Sequence, residues 1–153
     1  MTQASKIISS EQYHWDSVTR KEYKTTGTGF KDIVRYELLG SNDDEHALNA
    51  QTRYFEVSPG GYSSLERHEH PHSVVILRGS GSVILGNRYS PVKAHDVIYI
   101  APMTVHQFLA DNHEPLGFLC VVDRVRDRPQ TPSGQEELRE WISDEQVRTK
   151  ARI

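Results

Sequence analysis

The chain has 153 residues, with 18 Lys and Arg against 21 Asp and Glu, giving a formal net charge of −3. That length suits one domain with its own core spanning 1–153, and the balance of charge leaves no basic footprint for nucleic acid. A lone cysteine, Cys120, excludes an internal disulfide; the apolar runs are too short to span a bilayer, and the N-terminus lacks a signal-peptide core, so a cytoplasmic protein with no membrane partner is expected.

The N-terminal extension, residues 1–50, opens with a polar stretch in which Trp15 and Tyr23 are isolated anchors. Thr25 to Gly29 reads as a loop, Phe30 to Leu39 as a strand, and the charged run Ser41 to Glu45 as a solvated turn needed only for solubility. From Thr52 the strand signals become regular. Arg53 to Val57 is bounded by Pro59-Gly60-Gly61, and Val74 to Leu77 by Gly79-Ser80-Gly81. Ser82 to Leu85 turns at Gly86-Asn87 into Arg88-Tyr89, followed by Asp96 to Ile100, Val105 to Leu109 and Leu116 to Asp123. Short strands at this spacing, without helices between them, predict an all-β antiparallel sandwich or small barrel. The tail, 130–153, changes character. Ser133-Gly134-Gln135-Glu136 reads as a capping box, and Leu138, Trp141 and Ile142 recur at helical spacing, predicting one short C-terminal helix.

The chemistry concentrates between Glu66 and His72, where three histidines and two glutamates fall within seven residues. Such donors are expensive to bury without compensation, and a bound metal ion is the usual compensation. On an extended segment Glu66, His68 and His70 face the same side, while Arg67 and Glu69 face the other as a solvated pair.

The spacing of this stretch resembles the cupin superfamily. The first cupin motif is glycine, five residues, His-x-His, three or four residues, Glu, six residues, glycine. Here Gly60, Glu66, His68, His72 and Gly79 reproduce every interval, with Glu66 at the first histidine position and His72 at the glutamate position. In the second motif His95, Ala101, Met103 and Ala110 stand at the Gly, Pro, Gly and Asn positions, while His106 keeps the histidine. Histidine tolerates left-handed backbone, so the turn at His95 can survive. The resemblance covers about residues 52–123 and implies an antiparallel double-stranded β-helix, a jelly-roll barrel, with the short helix appended.

The resemblance further implies a metal set of Glu66, His68, His72 and His106, the usual three imidazoles and one carboxylate. His70 is the alternative ligand, because His68-Glu69-His70 is the literal His-x-His; that register leaves Val74 or Val75 where the carboxylate should stand. The ion would be a divalent transition metal: Fe, Mn, Ni, Co or Zn. Glu66 and His70 are the candidates for proton transfer. Tyr54, Tyr62, Tyr99 and Gln107 are candidates for either the pocket or the core. His14, His46 and His113 read as surface groups, and Cys120 as a small buried hydrophobe. Arg124 and Arg126 offer charge for a substrate carboxylate, with nothing in the spacing to support that role. The expected function is a metal-dependent enzyme acting on a small oxygenated molecule, by dioxygenase-type, isomerase, decarboxylase or lyase chemistry. The alternative is a non-catalytic metal or small-ligand sensor. Related cupins are commonly dimers by strand exchange, which implies a homodimer, aided by an N-terminal segment free to lie on a neighbour.

Overall fold

The computed structural model describes residues 4–153, of which the N-terminal part carries three two-residue strands, β1 (Ser10–Glu11), β2 (His14–Trp15) and β3 (Lys21–Glu22). Seven strands then follow: β4 (Lys31–Leu39), β5 (Ala50–Tyr62), β6 (His72–Leu85), β7 (Arg88–Lys93), β8 (Val97–Ile100), β9 (His106–Ala110) and β10 (Leu116–Asp123). Two helices close the chain, α1 (Gln135–Trp141) and α2 (Glu145–Lys150).

Every pairing is antiparallel, and the long strands change partners along their length. The first half of β6 lies between β10 and β8, with Cys120 opposite Val74 and His72 opposite Ile100. Its second half lies between β7 and β9, with Leu85 opposite both Arg88 and His106. β5 pairs with β4 and β10, then reaches β9 at Tyr62–Leu109. This exchange of partners is the double-stranded β-helix expected from the sequence.

The glycines read as strand ends are instead bends inside β5 and β6. Gly79 has φ +73, and a Cβ there would collide with the Pro115 carbonyl, so β6 turns through this point without stopping. Alternation then sorts the side chains. Phe55, Val57, Val74, Ile76, Phe118 and Cys120 belong to the core inside the barrel, while Tyr36, Leu38 and Tyr54 form a second cluster on the other face.

Tyr13, Trp15 and Val18 pack against that second cluster, with the Trp15 and Tyr54 rings 4.9 Å apart. The N-terminal segment therefore lies on its own sheet. The run Ser41 to Glu45 also does more than solubilise. Glu45 is buried, accepts hydrogen bonds from the backbone N–H groups of Gly40 and Asn42, and pairs with Lys6 at 2.6 Å.

The tail forms two helices because Ile142 leaves the helical region and Asp144 restarts it, accepting from the Val147 N–H. The expected capping box does not form: Gly134 is the N-cap and carries no side chain, and a single bond remains in which Glu137, rather than Glu136, accepts from the Ser133 N–H at 2.6 Å. Leu138, Ile142 and Val147 are buried against Leu65, Ile84 and Val105, each large aliphatic group contributing about 2 kcal/mol. Trp141 is half-buried beneath the Arg67 guanidinium, 3.9 Å from the ring centroid. Arg67 also bonds Gln130, and no Arg67–Glu69 ion pair exists among the described residues. The expected solvated pair is replaced by a tie between the metal-motif segment and the tail.

Candidate metal centre

Residues 63–71 cross the mouth of the barrel as an irregular segment stitched by single bridges, Glu66 to His106 and Arg67 to Gln130. His68 sits on this crossing, His72 opens β6, and His106 opens β9, so three neighbouring elements deliver one imidazole each. One ligating atom from each of the three lies within 4.8 Å of the other two. The Nε2 atoms of His68 and His72 are 2.8 Å apart, and all three rings are buried.

The outer ring nitrogens fix the tautomers. His68 Nδ1 is 2.7 Å from the His70 carbonyl and His106 Nδ1 is 2.8 Å from the Thr104 carbonyl. A carbonyl only accepts, so both imidazoles carry their proton on Nδ1 and turn the Nε2 lone pair inward. His72 Nδ1 faces the Cys120 thiol at 2.8 Å. Burial holds His68 down to about 4 and holds His72 and His106 well below the ordinary histidine range. With His68 Nε2 unprotonated, the 2.8 Å contact makes His72 Nε2–H its donor; moving that proton to Nδ1 gives three neutral imidazoles with inward lone pairs, so this triad could hold an ion.

Backbone strain supports the same corner. His95 has φ +78 and Met103 φ +59, so both glycine positions of the second motif keep their left-handed geometry without glycine. The Met103 N–H donates to the His68 carbonyl at 2.7 Å, fixing the crossing segment.

Glu66 stands beside the triad but outside the group whose donor atoms converge; Lys24 Nζ takes its Oε2 at 2.7 Å. His70 stacks face to face on His68, with centroids 3.6 Å apart and planes 2° from parallel. Its Nδ1 meets Asp127 Oδ1 at 2.7 Å, and Asp127 also accepts from the backbone N–H groups of Glu69 and His70. Those N–H donors and His70 hold the Asp127 carboxyl well below the usual carboxylate range. His68, His70 and Asp127 form a second group with ligand spacing.

The pocket in front of the triad has a volume of about 460 Å³. Glu66, His68, His70, His72 and His106 all line it, as do Arg124 and Arg126. Tyr54, Tyr62, Tyr99 and Gln107 do not: Tyr54 is on the opposite sheet face, Tyr99 is exposed, and Gln107 bonds the Ser63 and Arg152 backbone. The pocket tyrosine is Tyr23, which the sequence marked only as an anchor; burial pushes its hydroxyl up. His14, His46 and His113 are exposed, as expected. Cys120 is buried as expected, yet its thiol also lines the pocket between His72 and Arg53. Cys120, Arg53, Lys24 and Asp127 were missed because they lie outside the motif, although inward parity on β5 and β10 marks the first two.

A family model described as Cupin domain matches residues 53–122. A 1-methylthio-D-xylulose 5-phosphate methylsulfurylase from Rhodospirillum rubrum is 43% identical over 123 residues, covering 80% of this chain and 76% of that protein. Among solved structures, a cupin 2 conserved barrel domain protein from Rhodopseudomonas palustris is 41% identical with a TM-score of 0.85, covering 97% of this chain and 100% of that one. A cupin-2 domain protein from R. rubrum is 38% identical with a TM-score of 0.81, covering 94% of each chain. The chain belongs to the cupin superfamily.

Proposed function

We propose that this protein is a metal-dependent enzyme that removes the methylthio group from a 1-methylthio ketose phosphate by passing it to a thiol. The likeness to the R. rubrum methylsulfurylase suggests the substrate. The observation that carries the reading is the Cys120 thiol in the metal-site pocket, 2.8 Å from His72 Nδ1. A cupin fold alone does not choose a reaction. A pocket thiol favours thioether cleavage over the dioxygenase, decarboxylase or simple isomerase types, none of which uses it.

In this reading His68, His72 and His106 would hold the ion, with the Glu66 carboxylate, whose Oε2 takes Lys24, standing beside them. The ion would act as a Lewis acid toward the ketone oxygen. Were Nε2 of His72 to ligate the ion, its proton would lie on Nδ1 facing Cys120 Sγ, where Arg53 Nη2 stands 3.9 Å away on the same sulfur. Both donors favour the thiolate against the burial that pushes the thiol up. The thiolate attacks the methylthio sulfur, forming an S–S bond and breaking the C1–S bond. The electron pair of the broken bond remains with the substrate as the enolate of its ketone. His70, oriented by Asp127, delivers the proton to C1 and yields the 1-deoxy ketose phosphate. A small thiol from solution then takes the methylsulfanyl group from Cys120 as a mixed disulfide and restores the free thiol.

The test is to incubate the metal-loaded protein with 1-methylthio-D-xylulose 5-phosphate without added thiol, following substrate by NMR and protein by intact mass. The expected result is one equivalent of dethiomethylated product with a methylsulfanyl group on Cys120, and repeated turnover once thiol is added. Unchanged substrate and an unmodified Cys120 would refute the reading.

A further inference from the structure

The inner wall of a small barrel is ordinarily apolar, but here it carries arginines with unmet donors. On β5, Arg53 shares the inward face with Phe55 and Val57; on β4, Arg35 shares it with Ile33. Both line the pocket with Arg126 from the segment after β10. Six basic side chains line this pocket against two carboxylates, although the chain as a whole is acidic.

Both carboxylates are already engaged, Glu66 by Lys24 and Asp127 by His70. Arg124 is also satisfied, donating to the carbonyls of His46 and Leu48. Among the described residues Arg126 reaches only neutral acceptors, Gln51 Oε1 at 2.8 Å and the Asp123 carbonyl at 2.9 Å. Arg35 meets Glu37 at 3.3 Å, yet its Nε is buried without a partner. Arg53 is the least satisfied. Among the described residues it has no carboxylate partner, its Nε is buried and unpartnered, its guanidinium lies 5.1 Å from the Phe55 ring centroid, and its one hydrogen-bond contact is the Cys120 sulfur. Burial and the neighbouring Arg53 and Arg35 charges push the Arg126 guanidinium down. Like charges held together with unmet donors are a built vacancy for an anion, and the arginine fork matches phosphate oxygens in pairs.

We propose that Arg53, with Arg126 and Arg35, forms a subsite for a phosphate monoester at the arginine side of the metal-site pocket. The assignment rests on the reading above, because it supplies the recognition element for a ketose phosphate. The shared chemistry is a phosphate dianion, whether free or esterified.

The experiment is calorimetric titration of the metal-free protein with inorganic phosphate and with D-xylulose 5-phosphate, alongside thermal unfolding. Stripping the metal removes the competing anion site. The ester should bind once per chain and more tightly than inorganic phosphate. Arg53→Met and Arg126→Gln should each weaken ester binding by roughly tenfold or more, the loss of a charge-assisted pair. Unliganded Arg53→Met should unfold no earlier than wild type, since removing an unmatched charge relieves repulsion; an exposed control, Arg88→Gln, should bind as wild type. No ester binding, or unchanged affinity in both pocket variants, overturns the subsite. So does binding of inorganic phosphate alone, which would make it a free-anion site. The two proposals separate. Ester binding lost in the variants, with no turnover of the methylthio ketose by wild type, keeps the subsite and removes the reaction. Turnover with unchanged KM in both variants does the reverse.

Discussion

Acid should destabilise the metal-free protein well before its ion-paired carboxylates protonate, and His68 sets a lower bound on the effect. Its imidazole is held at about 4 by burial and by the neighbouring His106 and His70 rings. In the unfolded chain it titrates near about 6.5. Between those values the unfolded chain binds a proton that the folded chain refuses, so stability falls as pH falls through this window and levels below it. One pKa unit corresponds to about 1.4 kcal/mol, so His68 alone costs about 2 kcal/mol by about pH 5 and about 3 kcal/mol by about pH 4. His72 and His106 are shifted the same way and add to the loss. Urea unfolding in the presence of a chelator, stepped from about pH 7 to about pH 5, measures this directly. Wild type should lose at least about 2 kcal/mol over that range, and His68→Gln should lose about 2 kcal/mol less than wild type. A divalent ion at a hundred times its Kd should add about 2.7 kcal/mol at neutral pH, and progressively less as protons compete for the same lone pairs. A flat profile in the chelated wild type would refute the geometry of three neutral, convergent imidazoles.

Other consequences follow from individual contacts. Gly79→Ala sets a side chain against the Pro115 carbonyl at φ +73, and should cost about 3 kcal/mol or more in chemical denaturation. Asp127→Asn removes the group that orients His70, and should lower turnover by about a hundredfold with metal content unchanged. Glu66→Ala and His72→Ala should weaken metal retention in a chelator competition more than His70→Ala. The reverse ranking would transfer the site to His68, His70 and Asp127.

The barrel was legible because it depends on local pattern, whereas the crossing segment, expected to be extended, is irregular. Alternation and turn residues mark the strands, and the intervals from Gly60 to Gly79 and from His95 to His106 mark the motif positions. Even the left-handed turn at His95 could be read, since the motif requires it and histidine tolerates it. The rest depends on contacts between distant parts of the chain. Lys24 meets Glu66 across 42 residues and Asp127 meets His70 across 57, so no window of sequence could pair them. Gly60-Gly61 and Gly79 read as ends because glycine marks both bends and ends, and only the sheet partners distinguish the two. Cys120 fits the core pattern of β10; its second role appears only when β6 brings His72 beside it.

The claim on which the chemistry rests is that three imidazoles from three elements hold one ion. Elemental analysis of the purified, untagged protein by mass spectrometry, for wild type and for His68→Ala and His106→Ala, tests it most directly. Wild type should carry about one divalent transition metal per chain, and both variants should lose it. Stoichiometric metal in both variants, or a wild-type protein that refuses added ions, would contradict it.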